Sequence, residues 1–147
     1  MSHRVDRLDA GLADLVDRVG ADDLSPCLYS LAITVMSAVD TGDDAEVTAA
    51  LTELKERGSV APSSALQINS LLSQYEQRAF AARRRGDQAA RERAFFQARA
   101  LNCVAHVIGA DRGGRPARDR LRDATYEAAV ACRGPAAVRS VLIRYAG

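Results

Sequence analysis

Tryptophan is absent from this 147-residue chain, aromatic residues make up only 5% of it, and Lys55 is its one lysine. With so few rings, alanine, leucine and valine must fill the interior, which favours closely packed helices over an aromatic-rich β-sandwich. There are two histidines, His3 and His106, and three cysteines, Cys27, Cys103 and Cys132. No CxxC pair and no histidine–cysteine spacing of a metal site occurs, so neither a structural zinc nor a disulfide framework is expected. Buried thiols in a reducing cytoplasm fit this pattern. Cofactors and metals are expected to be absent. Long apolar runs are missing too. The longest, Cys27 to Val39, contains Ser30, Thr34 and Ser37 and is too short to cross a bilayer. No cationic leader precedes an apolar stretch, so no signal peptide is expected. The expectation is a cytoplasmic protein without a membrane segment.

What is present is an ordinary globular mixture, 48% hydrophobic and 27% charged. That length and composition predict one domain over residues 1–147, large enough for a real core.

The chain is organised around residues 64–109. Ala65, Ile68, Leu72, Tyr75, Ala79 and Ala82 recur at steps of three and four, one stripe of a helix. Leu66 and Leu71 widen that stripe. Ser63 or Ser64 is the expected cap, with Pro62 in an extended entry. Arg83, Arg84 and Arg85 lie in the last turn, where the helix dipole favours cations, and Gly86 suits a left-handed end. Asp87 then caps a second helix with two apolar stripes. One runs through Ala90, Ala94, Ala98, Leu101, Ala105 and Ile108; the other holds Phe96, Ala100, Cys103 and Val107. Its start, with Arg91, Glu92 and Arg93, should stay wet, and residues 100–108 should enter the core. Two stripes need cover on two sides, so the flanking helices must pack on this hairpin.

Before the hairpin, residues 4–19 form an amphipathic helix through Val5, Leu8, Leu12, Leu15, Val16 and Val19. Ser25-Pro26 is a start signal, with Ser as cap and Pro first in the helix. Cys27 to Val39 follows, apolar nearly all round and expected to be the most buried helix; its β-branched Ile33, Thr34 and Val35 leave a strand open as the alternative. Asp43 or Asp44 caps a helix burying Val47, Ala50, Leu51 and Leu54, ended by Gly58. After the hairpin, Pro116 opens a helix burying Leu121, Ala124, Ala128 and Ala131 and closed by Gly134; Pro135 starts a last one with Val138, Val141, Leu142 and Tyr145. The expected fold is an all-α bundle of six or seven helices around a long central αα-hairpin.

Charge is divided unevenly. Residues 1–57 carry five cationic side chains and twelve carboxylates, net −7, while residues 58–147 carry fifteen and seven, net +8. The two halves can attract each other within the fold, or the basic half can face an acidic partner. Arg83, Arg84, Arg85, Arg91 and Arg93 ring the hairpin tip, and Arg115, Arg118 and Arg122 follow in the next loop and helix. These are the candidate nucleic-acid contacts. Against that role, no exposed aromatic platform is expected beside them, and Asp87, Glu92, Asp119 and Asp123 dilute the charge.

Arg99 and His106 stand seven residues apart with Ala100, Leu101, Asn102, Cys103, Val104 and Ala105 between them. This resembles the R-x(4–6)-H motif of the HEPN family, small all-helical domains that include metal-independent ribonucleases acting as dimers. The resemblance implies that His106 moves protons at a scissile phosphate while Arg99 stabilises developing negative charge and Asn102 orients phosphate. The residues allow a plainer reading as well. His106 lies in a last helical turn, where a cation is favoured, and Arg99 can pair with a carboxylate of the acidic half.

Catalytic residue types are otherwise scarce, and amphipathic helical surface is plentiful. The expected function is therefore a non-enzymatic protein–protein interaction module of adaptor, chaperone, immunity-protein or regulatory-subunit type. Its partner would be another protein or a second copy in a homodimer. The competing reading is a HEPN-like ribonuclease or nucleic-acid-binding domain using the basic half.

Overall fold

A computed structural model describes residues 10–40, 44–110 and 114–147. His3, Val5, Leu8 and Asp43 lie outside them. The described residues form seven α-helices: α1 (Ala10–Arg18), α2 (Leu24–Ala38), α3 (Ala45–Arg57), α4 (Pro62–Arg85), α5 (Gln88–Ile108), α6 (Ala117–Ala131) and α7 (Ala136–Tyr145). A 3-10 turn, Ala21–Asp23, leads into α2. Among the described residues the only β pairing is an isolated bridge between Val19 and Ala146. The fold is the all-α bundle that the periodicity predicts, and the strand alternative for Ile33 to Val35 is excluded because they sit inside α2.

α4 and α5 form the antiparallel hairpin and pack on each other more extensively than any other pair. Gly86 ends α4 at φ 73°, with its amide and that of Asp87 returning to carbonyls of the last turn. The Asp87 carboxylate accepts from the Ala90 amide at 3.1 Å and so caps α5. Around this pair α6 covers the other side of α5, α2 lies across α5 and α6, α3 supports α4, and α1 and α7 close the remaining face.

α5 is the central rod. Ala100, Leu101, Cys103, Val104, Ala105, Val107 and Ile108 are all buried, while Arg91, Glu92 and Arg93 are exposed, as its two stripes require. The expectation that α2 is the most buried helix is corrected. α2 buries Cys27, Leu28, Leu31, Ala32 and Val35, but Ile33 on its far side is 41% exposed, since nothing packs there. In α4, Ile68, Tyr75 and Ala82 are buried and Leu72 is half-buried, but Leu66 is 69% exposed and adds nothing to the stripe.

The helix starts differ from expectation in an instructive way. α4 begins at Pro62 with Ala61 as its cap residue. The capping oxygen comes from α3. Glu53 Oε1 accepts from the Ala61 amide at 2.5 Å, and its Oε2 accepts from Ser64 Oγ at 2.8 Å. A carboxylate at a helix N-terminus also meets the positive dipole end. α2 begins at Leu24 rather than after Ser25, placing Pro26 in its first turn, where no amide has an intrahelical acceptor. Asp44 precedes α3 without a side-chain cap bond; its Oδ2 accepts instead from the Tyr75 hydroxyl at 2.8 Å and ties α3 to α4. At the end of α6, Arg133 rather than Gly134 takes the left-handed conformation, φ 60°.

Candidate functional site

One ridge of α5, between its contacts with α4 and with α6, carries Arg91, Phe95, Arg99, Asn102 and His106 at helical spacing. Arg99 is fixed by Glu127 of α6. Its Nη1 donates to both carboxylate oxygens at 3.1 and 3.2 Å, with Glu127 only 1% exposed and the Arg99 side chain 33% exposed. The Arg99 guanidinium also lies 5.1 Å from the centre of the Phe95 ring. The carboxylate that Arg99 meets therefore comes from the basic half, not the acidic one. Periodicity cannot reveal this, because the pairing depends on how α6 lies against α5.

Beyond this pair a half-open cleft of about 450 Å³ separates α5 from α6. It is lined by Asn102 and His106 on one wall and Arg115, Asp123, Tyr126 and Glu127 on the other. Arg115 pairs with Asp123. The His106 Nδ1 atom is buried and has no hydrogen-bond partner among the described residues. Arg99, Asn102 and His106 do share one face, as the motif requires, spread over about 10 Å of helix axis. The cleft holds carboxylates and guanidinium groups that largely neutralise one another. Among the described residues no three His, Cys, Asp or Glu side chains converge into a metal-ligand set. Cys103 lies inward of this ridge; its burial pushes the thiol well above the usual range and suppresses the thiolate.

The candidate arginines divide into two groups. Arg118 donates to the Val16 and Asp17 carbonyls at 2.7 and 3.4 Å, so it caps the C-terminal end of α1. Arg122 pairs with Asp17 at 2.6 Å and with Asp119 at 2.7 Å, and the hydrogen bond it donates to Asp17 helps push its pKa up. These contacts are where the acidic N-terminal segment and the basic helix meet. Together with Arg115, these residues serve the fold. Arg83, Arg84, Arg85, Arg91 and Arg93 are exposed at the hairpin tip, and none forms an ion pair with a described residue.

The sequence reading expected no exposed ring beside that cluster. That is corrected: Phe80 is 61% exposed and Phe95 39% exposed. Phe80 stands four residues before Arg84, whose guanidinium lies 5.9 Å from the ring centre. Phe95 is braced edge-on by Phe96, with ring centres 5.2 Å apart. The only sequence signal was that both rings fall off the apolar stripes, and that marks exposure without marking use. Comparison with protein-family models, curated proteins and solved structures found no match for this chain.

Proposed function

We propose that this protein works by binding rather than by catalysis, as a helical protein–protein interaction module in the cytoplasm. The observation that carries the reading is the outward face of α4. This 24-residue helix fully buries Ile68, Tyr75 and Ala82, half-buries Leu71, Leu72 and Ala79, and turns its other side to solvent, Leu66 included. A long helix with one side unpartnered is a natural surface for another helix, from a different protein or a second copy of this one. Adaptors, chaperones, immunity proteins and regulatory subunits use such faces. The test compares wild type with Leu66→Glu in light scattering over a range of salt and in affinity purification. A dimer insensitive to salt, or a partner recovered by wild type and lost with Leu66→Glu, is the expected result. A monomer whose recovered proteins are the same for both forms refutes it.

A second reading is favoured by one specific observation, the buried Nδ1 of His106 beside a polar cleft. In a HEPN-like ribonuclease, His106 would transfer the proton and Arg99 would steady the phosphate. The close pairing of Arg99 with Glu127 opposes this, since it neutralises the charge the phosphate would need. RNA cleavage by wild type that is abolished by His106→Ala supports this second reading. Equal cleavage by both proteins, or none by either, removes it.

A further inference from the structure

The bundle uses its arginines selectively. Arg99, Arg115, Arg118 and Arg122 are each held by a carboxylate or a carbonyl within the fold. Five arginines at the hairpin tip are left to solvent. About midway along the hairpin, on the side of the tip, a shallow groove of about 170 Å³ follows the α4–α5 seam, walled by Glu76 and Ala79 on α4 and by Phe95, Ala98, Arg99 and Asn102 on α5. Helical spacing extends both walls toward the turn. Arg83 lies four residues after Ala79, Phe80 four after Glu76, and Arg91 four before Phe95, so each follows its wall by about one turn. Each lip thus bears an exposed phenyl ring followed by guanidinium groups. Glu76 is the one carboxylate that lines the groove.

We infer that this groove and tip form a binding site for single-stranded nucleic acid, with Phe80 and Phe95 as base-stacking platforms and Arg83, Arg84 and Arg91 as phosphate contacts. Charge complementarity selects a polyanion. The rings select one with flat faces, since a base stacks on an aromatic side chain without regard to sequence. A protein docking surface at the tip would need a contiguous apolar patch there. The tip does not make one: Phe80 and Phe95 are its exposed large apolar residues among the described ones, and Leu66 is fourteen residues from Phe80, about 21 Å along the helix. The phenyl rings stand separately among charges, an arrangement suited to stacking. The site lies apart from the outward face of α4 around Leu66 and is independent of the protein-binding reading.

Fluorescence anisotropy with a labelled oligouridylate and an oligodeoxythymidylate of about 20 nucleotides tests it, with the full chain at low and moderate salt. Saturable binding is expected, and three phosphate contacts would weaken it about twentyfold between about 50 and 200 mM salt. Phe80→Leu and Phe95→Leu keep an apolar side chain but remove the flat ring; each should weaken binding at least about fivefold. Arg83→Gln with Arg84→Gln should flatten the salt dependence by roughly 1.4 in slope. Circular dichroism melts confirm that these surface variants fold. No binding at low salt overturns the proposal. So does binding that is unchanged in the two leucine variants, or a duplex of the same length bound as tightly as the single strand. Poly-L-glutamate competing as well as the oligonucleotide also overturns it and assigns the tip to an acidic protein.

Discussion

Glu127 is the most deeply buried charged side chain described in the bundle, and Arg99 is its bound cation. Replacing Arg99 by Met keeps most of the apolar stem but removes the guanidinium, leaving the Glu127 carboxylate in the interface between α5 and α6 without its bonds from Arg99. Removing one partner of a fully buried pair costs about 3–5 kcal/mol. The Arg99 side chain is one-third exposed, so water can take up part of its role, and about 2 kcal/mol is the reasonable figure. For a chain of this size that is a fall in Tm of about 4–8 °C. Glu127→Met should cost less, about 1 kcal/mol, because the freed Arg99 can turn toward water. The double variant should lie within about 1 kcal/mol of wild type, since removing both charges removes the cost of burying them. Urea unfolding followed by far-UV circular dichroism gives all four corners of the cycle. A coupling energy of about 3 kcal/mol is expected. Coupling below about 0.5 kcal/mol, the range of an exposed ion pair, would refute the argument that Glu127 is held in place by Arg99.

Thr125 is fully buried in α6, and its hydroxyl oxygen has no hydrogen-bond partner among the described residues. Thr125→Val removes the desolvated hydroxyl at nearly constant shape and should stabilise the protein by about 1 kcal/mol, read as a higher urea midpoint. Hydrogen bonds from the Ala61 amide and from Ser64 hold the Glu53 carboxyl below its usual pKa of 4.5. A lowered folded-state pKa means its contribution is full above about pH 4.5 and fades as pH falls through the folded value. The stability difference between wild type and Glu53→Gln should therefore shrink in thermal melts taken progressively below that pH, and a difference that persists unchanged at the acid end contradicts the cap. Burial raises the pKa of all three cysteines, Cys27 to about 12. A thiol reagent at neutral pH should label only the half-buried Cys132 in the folded protein, and slowly, while all three react in denaturant.

The hairpin was legible in the chain because its signals are local. Steps of three and four between apolar residues, Gly86 at a left-handed position and Asp87 beside the Ala90 amide each act within one or two helical turns. The start of α4 was not legible, because its capping oxygen arrives from Glu53 eight residues before the Ala61 amide, across a loop. Part of the candidate site was legible in the same sense: one face of α5 brings Arg99, Asn102 and His106 together whatever surrounds it. That Arg99 faces Glu127 was hidden, since those residues are 28 apart and meet only through the antiparallel packing of α5 and α6.

The sequence by itself determined which segments are helical and where most of them stop, because propensity, periodicity and caps depend on neighbours in the chain. It also determined that the acidic and basic halves would be unlike. Only the tertiary structure decided which apolar residues are covered, leaving Leu66, Phe80 and Phe95 in water while Leu101 is sealed. It likewise decided which arginines the fold consumes, binding Arg118 and Arg122 to the end of α1 and sparing those at the tip. The physical reason is that burial and ion pairing are settled by which helix docks on which face, and that choice belongs to the packing of the whole bundle rather than to any one segment.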